Sequence, residues 1–559
     1  MIRIRFASLF FAGALAVVCA APSAPSPTHG ATDAAMPRGG TLTIAWWSEP
    51  SALMPYTTTQ VPARTLAHFA LEGLTAVTPD GAYEPWLASN VPTVANGDVK
   101  VLGNGGMDVT YRIQSGINWS DGRSLSSEDV KFTWQFLMSE PTVGSRDGYD
   151  RIASIDTPDA QTAVMRYREI YAGYLTLFEF VLPKHLAGIP DVTKSDYARR
   201  PVGTGPFRVT EFVAGDHITF ERNAGYRKPD RPLLDRIFVR FVPKRDEALL
   251  QLKAGEVDVM AQLTEAQAAD VAKTSELKLL TGPSSQVWRA EFNLAKPGRP
   301  ADPRVAHPVL GDIAMRHALV LATPKQQIVT SLLGGNAEIA NSILAIGWAA
   351  PTDLKQESYD PVKAKQILDA AGWLPGSDGT RQKGGVRASV TIMGPSQDSV
   401  RERLEQVLVD EWKAIGVDLK IRNVVTGQLF AADGPVRQGD FDIDIYAELI
   451  AVDPHTRLAA RYSSKGIPTP ENKMSGLNWN RFATPEMDRL LDKAAVTFDR
   501  TERVGIYRQL LGIVNDQYLN IWLYTQQNID AFRSSVGGYG KSNPWMTFGW
   551  DAENWYVRR

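Results

Sequence analysis

The chain has 559 residues, 44% of them apolar and 22% charged, with a formal net charge of −2. That length calls for two or three domains, the composition excludes a disordered chain, and the charge balance leaves no basic footprint for nucleic acid. Seven scattered His and a single Cys form no spaced zinc motif, and no Gly-x-Ser-x-Gly offers a nucleophile elbow.

The first residues read as an export signal. Arg3 and Arg5 precede an apolar run over residues 6–18, which is too short to span a bilayer comfortably, and small residues follow. Residues 1–20 are therefore expected to be a signal peptide and residues 21–38, rich in Ala, Pro and Ser, a flexible tether. Cys19 lies at the exit of the apolar run. It is a candidate for acylation as in bacterial lipoproteins, although Val18 stands where a small residue is usual; the alternative is cleavage after Ala20. Either route puts the mature chain in the periplasm or on the outer face of the cytoplasmic membrane.

The folded part is expected from Gly39-Gly40. "TLTIAWW" alternates Leu42, Ile44 and Trp46 on one face, as a half-buried strand does. Ser126 is placed to cap a helix, with Asp129 reaching back, and Val130, Trp134 and Leu137 share one face of that helix. "PVGTGPF" at 201–207 has the glycines of a phosphate loop, but no Lys-Ser/Thr and no helix pattern follows. Phe207, Val209 and, after a one-residue slip, Phe212 alternate up to a turn at 214–216; Ile218 and Phe220 alternate beyond it. The pattern is a β-hairpin fed by a rigid Pro/Gly turn.

Further along, Thr323-Pro324-Lys325-Gln326 reads as a capping box for a helix that Gly334-Gly335 ends. Asp360-Pro361 opens another helix, with Ala364, Ile367, Leu368 and Ala371 on one face and Gly372 at its end. "RASVTIMGP", a helix bearing Val400, Leu404, Val407 and Leu408, and "VDLKI" after Gly416 make a β-α-β unit. Ligands of such units bind beyond the carboxyl ends of the strands, here near Gly394-Pro395.

Several stretches taken together resemble the extracellular solute-binding proteins of peptide-type ABC importers, the dipeptide, oligopeptide and nickel binding-protein family. They are "GGTLTIAWWSEPSALMPY", "WSDG…LSSEDVKFTW", "PVGTGPF", "ERNAGYRKPDRPLLDRIFVRFVPKRDEALLQLKAGEVDVM", Phe292-Asn293, "YDPVKAKQILDAAGW" and "LNIWLYTQQNIDAFRSSVGGY". The resemblance spans nearly the whole mature chain. It implies an α/β, two-lobed periplasmic-binding-protein fold of type II with the extra N-terminal subdomain. The first lobe would comprise 39–285 plus 520–559, with the subdomain at about 57–200, and the second lobe 286–519. It also implies a non-enzymatic, monomeric protein without cofactor or metal, which captures a peptide or another small solute between the lobes and delivers it to membrane permease subunits. The alternatives are an oligosaccharide-binding member of the family, an exported hydrolase and a surface receptor.

By the same resemblance, ligand contacts are expected from Trp47, Glu49, Trp288, Asn293, Tyr446, Glu448 and Asp453. Trp47 has a plainer reading as core and Glu448 as an exposed or structural carboxylate, and Trp522 and Tyr524 at the return crossing are read as hinge or core packing. One departure stands out. Peptide binders carry a Trp and, downstream, the Asp that holds the peptide α-ammonium; here those positions are Ala447 and Ile450, with Glu448 as a neighbouring carboxylate. A buried cation without its carboxylate is costly, so recognition of a free peptide amino terminus is not expected.

Overall fold

In the computed structural model, residues 36–558 are described, except 59, 144, 190, 397, 432 and 547. The signal peptide, most of the tether and Cys19 lie outside them. Two long antiparallel strands, Leu277–Phe292 and Asn520–Arg533, run through the middle of an eleven-stranded sheet. Gln286–Phe292 pairs on its other edge with Ile443–Leu449, which is followed in the sheet by the parallel strands Ser389–Met393 and Asp418–Ile421. At the far end, Asn520–Arg533 pairs with Val259–Met260, then come Thr41–Trp46, Arg236–Phe241 and a terminal hairpin. The register of the long pair breaks between Pro283 and Val287, where the two halves of the sheet meet.

The apolar core follows the same division. One cluster joins Leu42, Ile44 and Trp46 to Phe69, Phe220, Ile237 and Trp555. Another gathers Ala290, Phe292, Leu319, Leu404, Leu408 and Trp412. A third lies within residues 54–197, where the antiparallel sheet of Val99–Val101, Met107–Arg112, Thr162–Tyr167 and Ile152–Asp159 is covered by the helix Ser127–Ser139. That helix begins as its sequence requires: Asp129 Oδ2 accepts the Ser126 N–H at 2.8 Å, and Val130 and Leu137 are fully buried.

The Pro/Gly turn at 201–207 is architectural. A Cβ on Gly203 would lie 1.9 Å from the Ala70 carbonyl oxygen, and Gly205 sits against the same residue, its N–H donating to Ala70 O at 2.9 Å. No L side chain fits that approach. The hairpin Phe207–Val213/His217–Arg222 follows, with a register shift between Val209 and Glu211 that produces the slip in its alternation.

The β-α-β unit forms as expected. Ser389–Met393 and Asp418–Ile421 pair in parallel around the helix Ser399–Ala414, on which Leu404 and Leu408 are buried. Three expectations are corrected. Thr41–Trp46 is covered on both faces, because Ala45 packs into a second cluster with Leu252 and Met260. Thr323 is not a cap: its Oγ1 donates to Leu319 O, the N-cap is Pro324, and the helix Lys325–Gln327 passes at once into the π-turn Ile328–Leu332. The carboxyl end of the β-α-β unit is not open at Gly394-Pro395, because the fully buried Arg401 fills it, bonding to Glu405 and to the Pro395 carbonyl.

Candidate functional site

A cavity of about 680 Å³ opens beside the register break of the long strands. Five stretches wall it. Ser284, Ser285 and Gln286 come from the break itself and Asn528 and Asp530 from the facing strand. Tyr56, Arg64, Tyr149 and Glu179 come from the 54–197 unit, Leu449, Ala451 and Asp453 from the end of Ile443–Leu449 and the loop after it, and Tyr539 to Trp555 from the C-terminal segment. The volume and the mixture of rings with a few polar groups suit a small-molecule or peptide ligand.

Its charges differ in how they are matched. Glu179 takes a bidentate grip from Arg64 at 2.8 and 2.7 Å and lies 3.2 Å from His68 Nε2. Burial pushes this carboxyl up, but Arg64 and His68 outweigh burial and hold it at about 2. Asp453 is matched by a bidentate bond from Arg503, 2.7 Å on each side, and also accepts the His455 N–H. His455 itself is pushed down to about 4 by burial and stays neutral. On the opposite wall, Asp530 accepts the Gln262 N–H at 2.9 Å and the Tyr539 hydroxyl at 3.0 Å, and Asp551 accepts the Trp555 indole N–H at 2.9 Å. Burial raises both carboxyls to about 6.

Of the seven residues singled out from the sequence, Asp453 lines this cavity. Trp47 stands one side chain behind the wall, its Nε1 donating to Gln262 Oε1 at 2.8 Å. Glu49 accepts the Gly215 N–H and braces the hairpin turn. Trp288 stacks on Tyr524 at 5.8 Å and donates to Gln526. Asn293 is fully buried, bonding to the Gly439 and Phe441 carbonyls. Tyr446 and Glu448 belong to a buried network in which Arg289, Arg461 and Arg457 surround the Glu448 carboxylate. Burial raises Glu448, yet the guanidiniums prevail and hold it at about 2. Ile450, in the place of the ammonium-binding Asp, is buried with Leu458 and Leu490. Trp522 and Tyr524 are core residues, buried in separate clusters.

Sequence reasoning missed the C-terminal wall. "YGKSNPWMTFGWDAENW" carries five aromatic residues in seventeen positions without strand or helix periodicity, and that density is the signal that marks it. Among the described residues, no group of three or more His, Cys, Asp or Glu is arranged to hold a metal ion, and no helix is long and apolar enough to cross a membrane.

A mixed α/β fold built on two long antiparallel strands, with a cavity beside the break in their register, fits a ligand-capturing protein of the periplasmic-binding type. The sequence profile of the bacterial extracellular solute-binding proteins, family 5, matches residues 82–468, and the chain belongs to that family. It is 26% identical over 474 residues to the oligopeptide-binding protein AppA of Bacillus subtilis, covering 82% of each chain. It is 27% identical over 517 residues to protein XP55 of Streptomyces lividans, covering 89% of this chain and 86% of that one. Among solved structures, NikA of Brucella suis in complex with Fe(III)-EDTA superposes with a TM-score of 0.78 at 19% identity, covering 93% of this chain and all of the other.

Proposed function

We propose that this protein captures a short peptide or peptide-like solute in the 680 Å³ cavity and delivers it to the permease of an ABC importer, without chemical turnover. The observation that carries the reading is the position of the cavity. Its walls come from both halves of the sheet and meet at the register break of the two long strands, so a small change of angle there widens or seals the site. Strands Leu277–Phe292 and Asn520–Arg533 act as the hinge, at residues 284–286 on one and near 525–527 on the other. The two lobes are 39–285 with the C-terminal return, and 286–519. Family membership supports an exported protein working with membrane permease subunits, and the name of the Bacillus relative supports a peptide as the solute class. An export signal within residues 1–20, with Cys19 either acylated or removed by cleavage after Ala20, belongs to the same reading, as does a monomeric state.

The test is a thermal-shift and calorimetric screen of purified protein against tri- to pentapeptides, with oligosaccharides and metal chelates as comparison sets. A peptide that raises the melting temperature and is recovered intact after prolonged incubation supports the reading. Binding confined to a comparison set replaces the solute class, and cleavage of the bound peptide overturns the claim of no turnover.

A further inference from the structure

Among the described carboxylates of the cavity wall, Glu179 and Asp453 are ion-paired and the half-buried Asp530 and Asp551 are not; the exposed Asp147 and Lys541 also line it. Arg64 neutralises Glu179 and Arg503 neutralises Asp453. Asp530 and Asp551 have no ion-pair partner among the described residues. Asp530 rests on an amide N–H and a phenol, Asp551 on an indole N–H. The two are joined by a tilted ring contact, since Tyr539, which bonds Asp530, lies with its ring centroid 4.7 Å from that of Trp555, which bonds Asp551. Phe548 closes the group at 5.9 Å from Tyr539 and 5.5 Å from Trp555. Lys541, on the same segment, attracts Asp551 only at longer range, Glu553 repels it, and Tyr539 is the titratable group that faces Asp530. Two carboxylates held at the polar edges of these rings, neither in an ion pair among the described residues, offer a cationic nitrogen countercharge beside aromatic surface.

We propose that the solute carries a cationic nitrogen, a guanidinium or ammonium, and that this group docks between Asp530 and Asp551 against Tyr539 and Phe548. The proposal rests on the solute-binding reading and makes that reading specific. It also moves charge recognition from the loop after Ile443–Leu449, where Ile450 cannot supply it, to the opposite wall. Occupation by a cation compensates two carboxylates that burial otherwise disfavours as anions, so binding strengthens as pH rises through about 6, the range in which both ionise.

The experiment uses the full mature protein and two sets of N-acetylated alanine pentapeptides. In one set arginine is placed at each of the five positions in turn; in the other citrulline replaces it, which removes the charge and preserves the shape. The expected result is that at least one arginine peptide binds tenfold or more tightly than its citrulline twin at pH 7.5. That preference should shrink at pH 5 and fall to within twofold in Asp530→Asn and in Asp551→Asn. Equal binding of the twins at every position overturns this inference and leaves the peptide-binding reading standing. A charge preference that survives both substitutions overturns it as well. Absence of binding by all ten peptides overturns both.

Discussion

Gly203 is the residue at which the sequence speaks most directly about geometry. The Ala70 carbonyl occupies the place of its missing side chain, so Gly203→Ala has no rotamer with which to escape. Forced overpacking costs ~1–3 kcal/mol, and a backbone neighbour that cannot yield puts this case at the upper end, readable as a loss of several degrees in Tm. Charge behaves differently at this scale. Glu179 is held at about 2, below its unfolded value, so its stabilisation is present above about pH 4.5 and is lost as pH falls toward 2. Asp530 has the opposite sign. Its folded value of about 6 lies above the unfolded one, so its contribution is full below about pH 4 and is lost as pH rises through 6. Asp530→Asn is therefore expected to raise the melting temperature of the ligand-free protein at pH 8 and to leave it nearly unchanged at pH 4; a larger gain at pH 4 than at pH 8 contradicts that assignment. The phosphate-loop look of 201–207 was resolved from the residues that follow it. The roles of Glu49, Asn293 and Glu448 were not legible, because each is fixed by partners far away in sequence: Gly215, Gly439 and Arg289.

Among the elements, those with a local cause were the ones the sequence disclosed. The helix Ser127–Ser139 carries its capping box and its apolar face in consecutive residues, and Ser399–Ala414 carries Leu404 and Leu408 at helical spacing. Leu404→Ala, in a fully buried position, should cost about 2–5 kcal/mol. Asp129→Ala should cost about 1 kcal/mol through the lost reach to the Ser126 N–H. Chemical denaturation separates the two, since the cavity left by the leucine is several times the larger effect. The elements misread had no such local cause. Thr323 has the residues of a capping box, yet its hydroxyl satisfies the preceding helix and the chain turns into a π-turn. Arg401 plugs the end of the β-α-β unit through contacts that helix periodicity does not encode. The C-terminal wall has no period at all and shows itself only as aromatic density.

For the whole molecule, the long strands Leu277–Phe292 and Asn520–Arg533 tie both halves of the sheet together, and the break in their register is where the cavity opens. On the proposed function, relative motion about that break couples solute capture to recognition by a permease. Solute binding is then expected to reduce the radius of gyration in solution scattering, and an unchanged radius at saturation contradicts closure. The most direct test of the central claim is calorimetric titration of a bound peptide against the wild-type protein and against Ser285→Trp, in which an indole is placed on the cavity wall. The account predicts binding in the micromolar range or tighter, weakened at least tenfold by the substitution while the melting temperature of the ligand-free protein is retained. Binding of undiminished affinity to a folded Ser285→Trp protein would place the solute elsewhere and contradict the account.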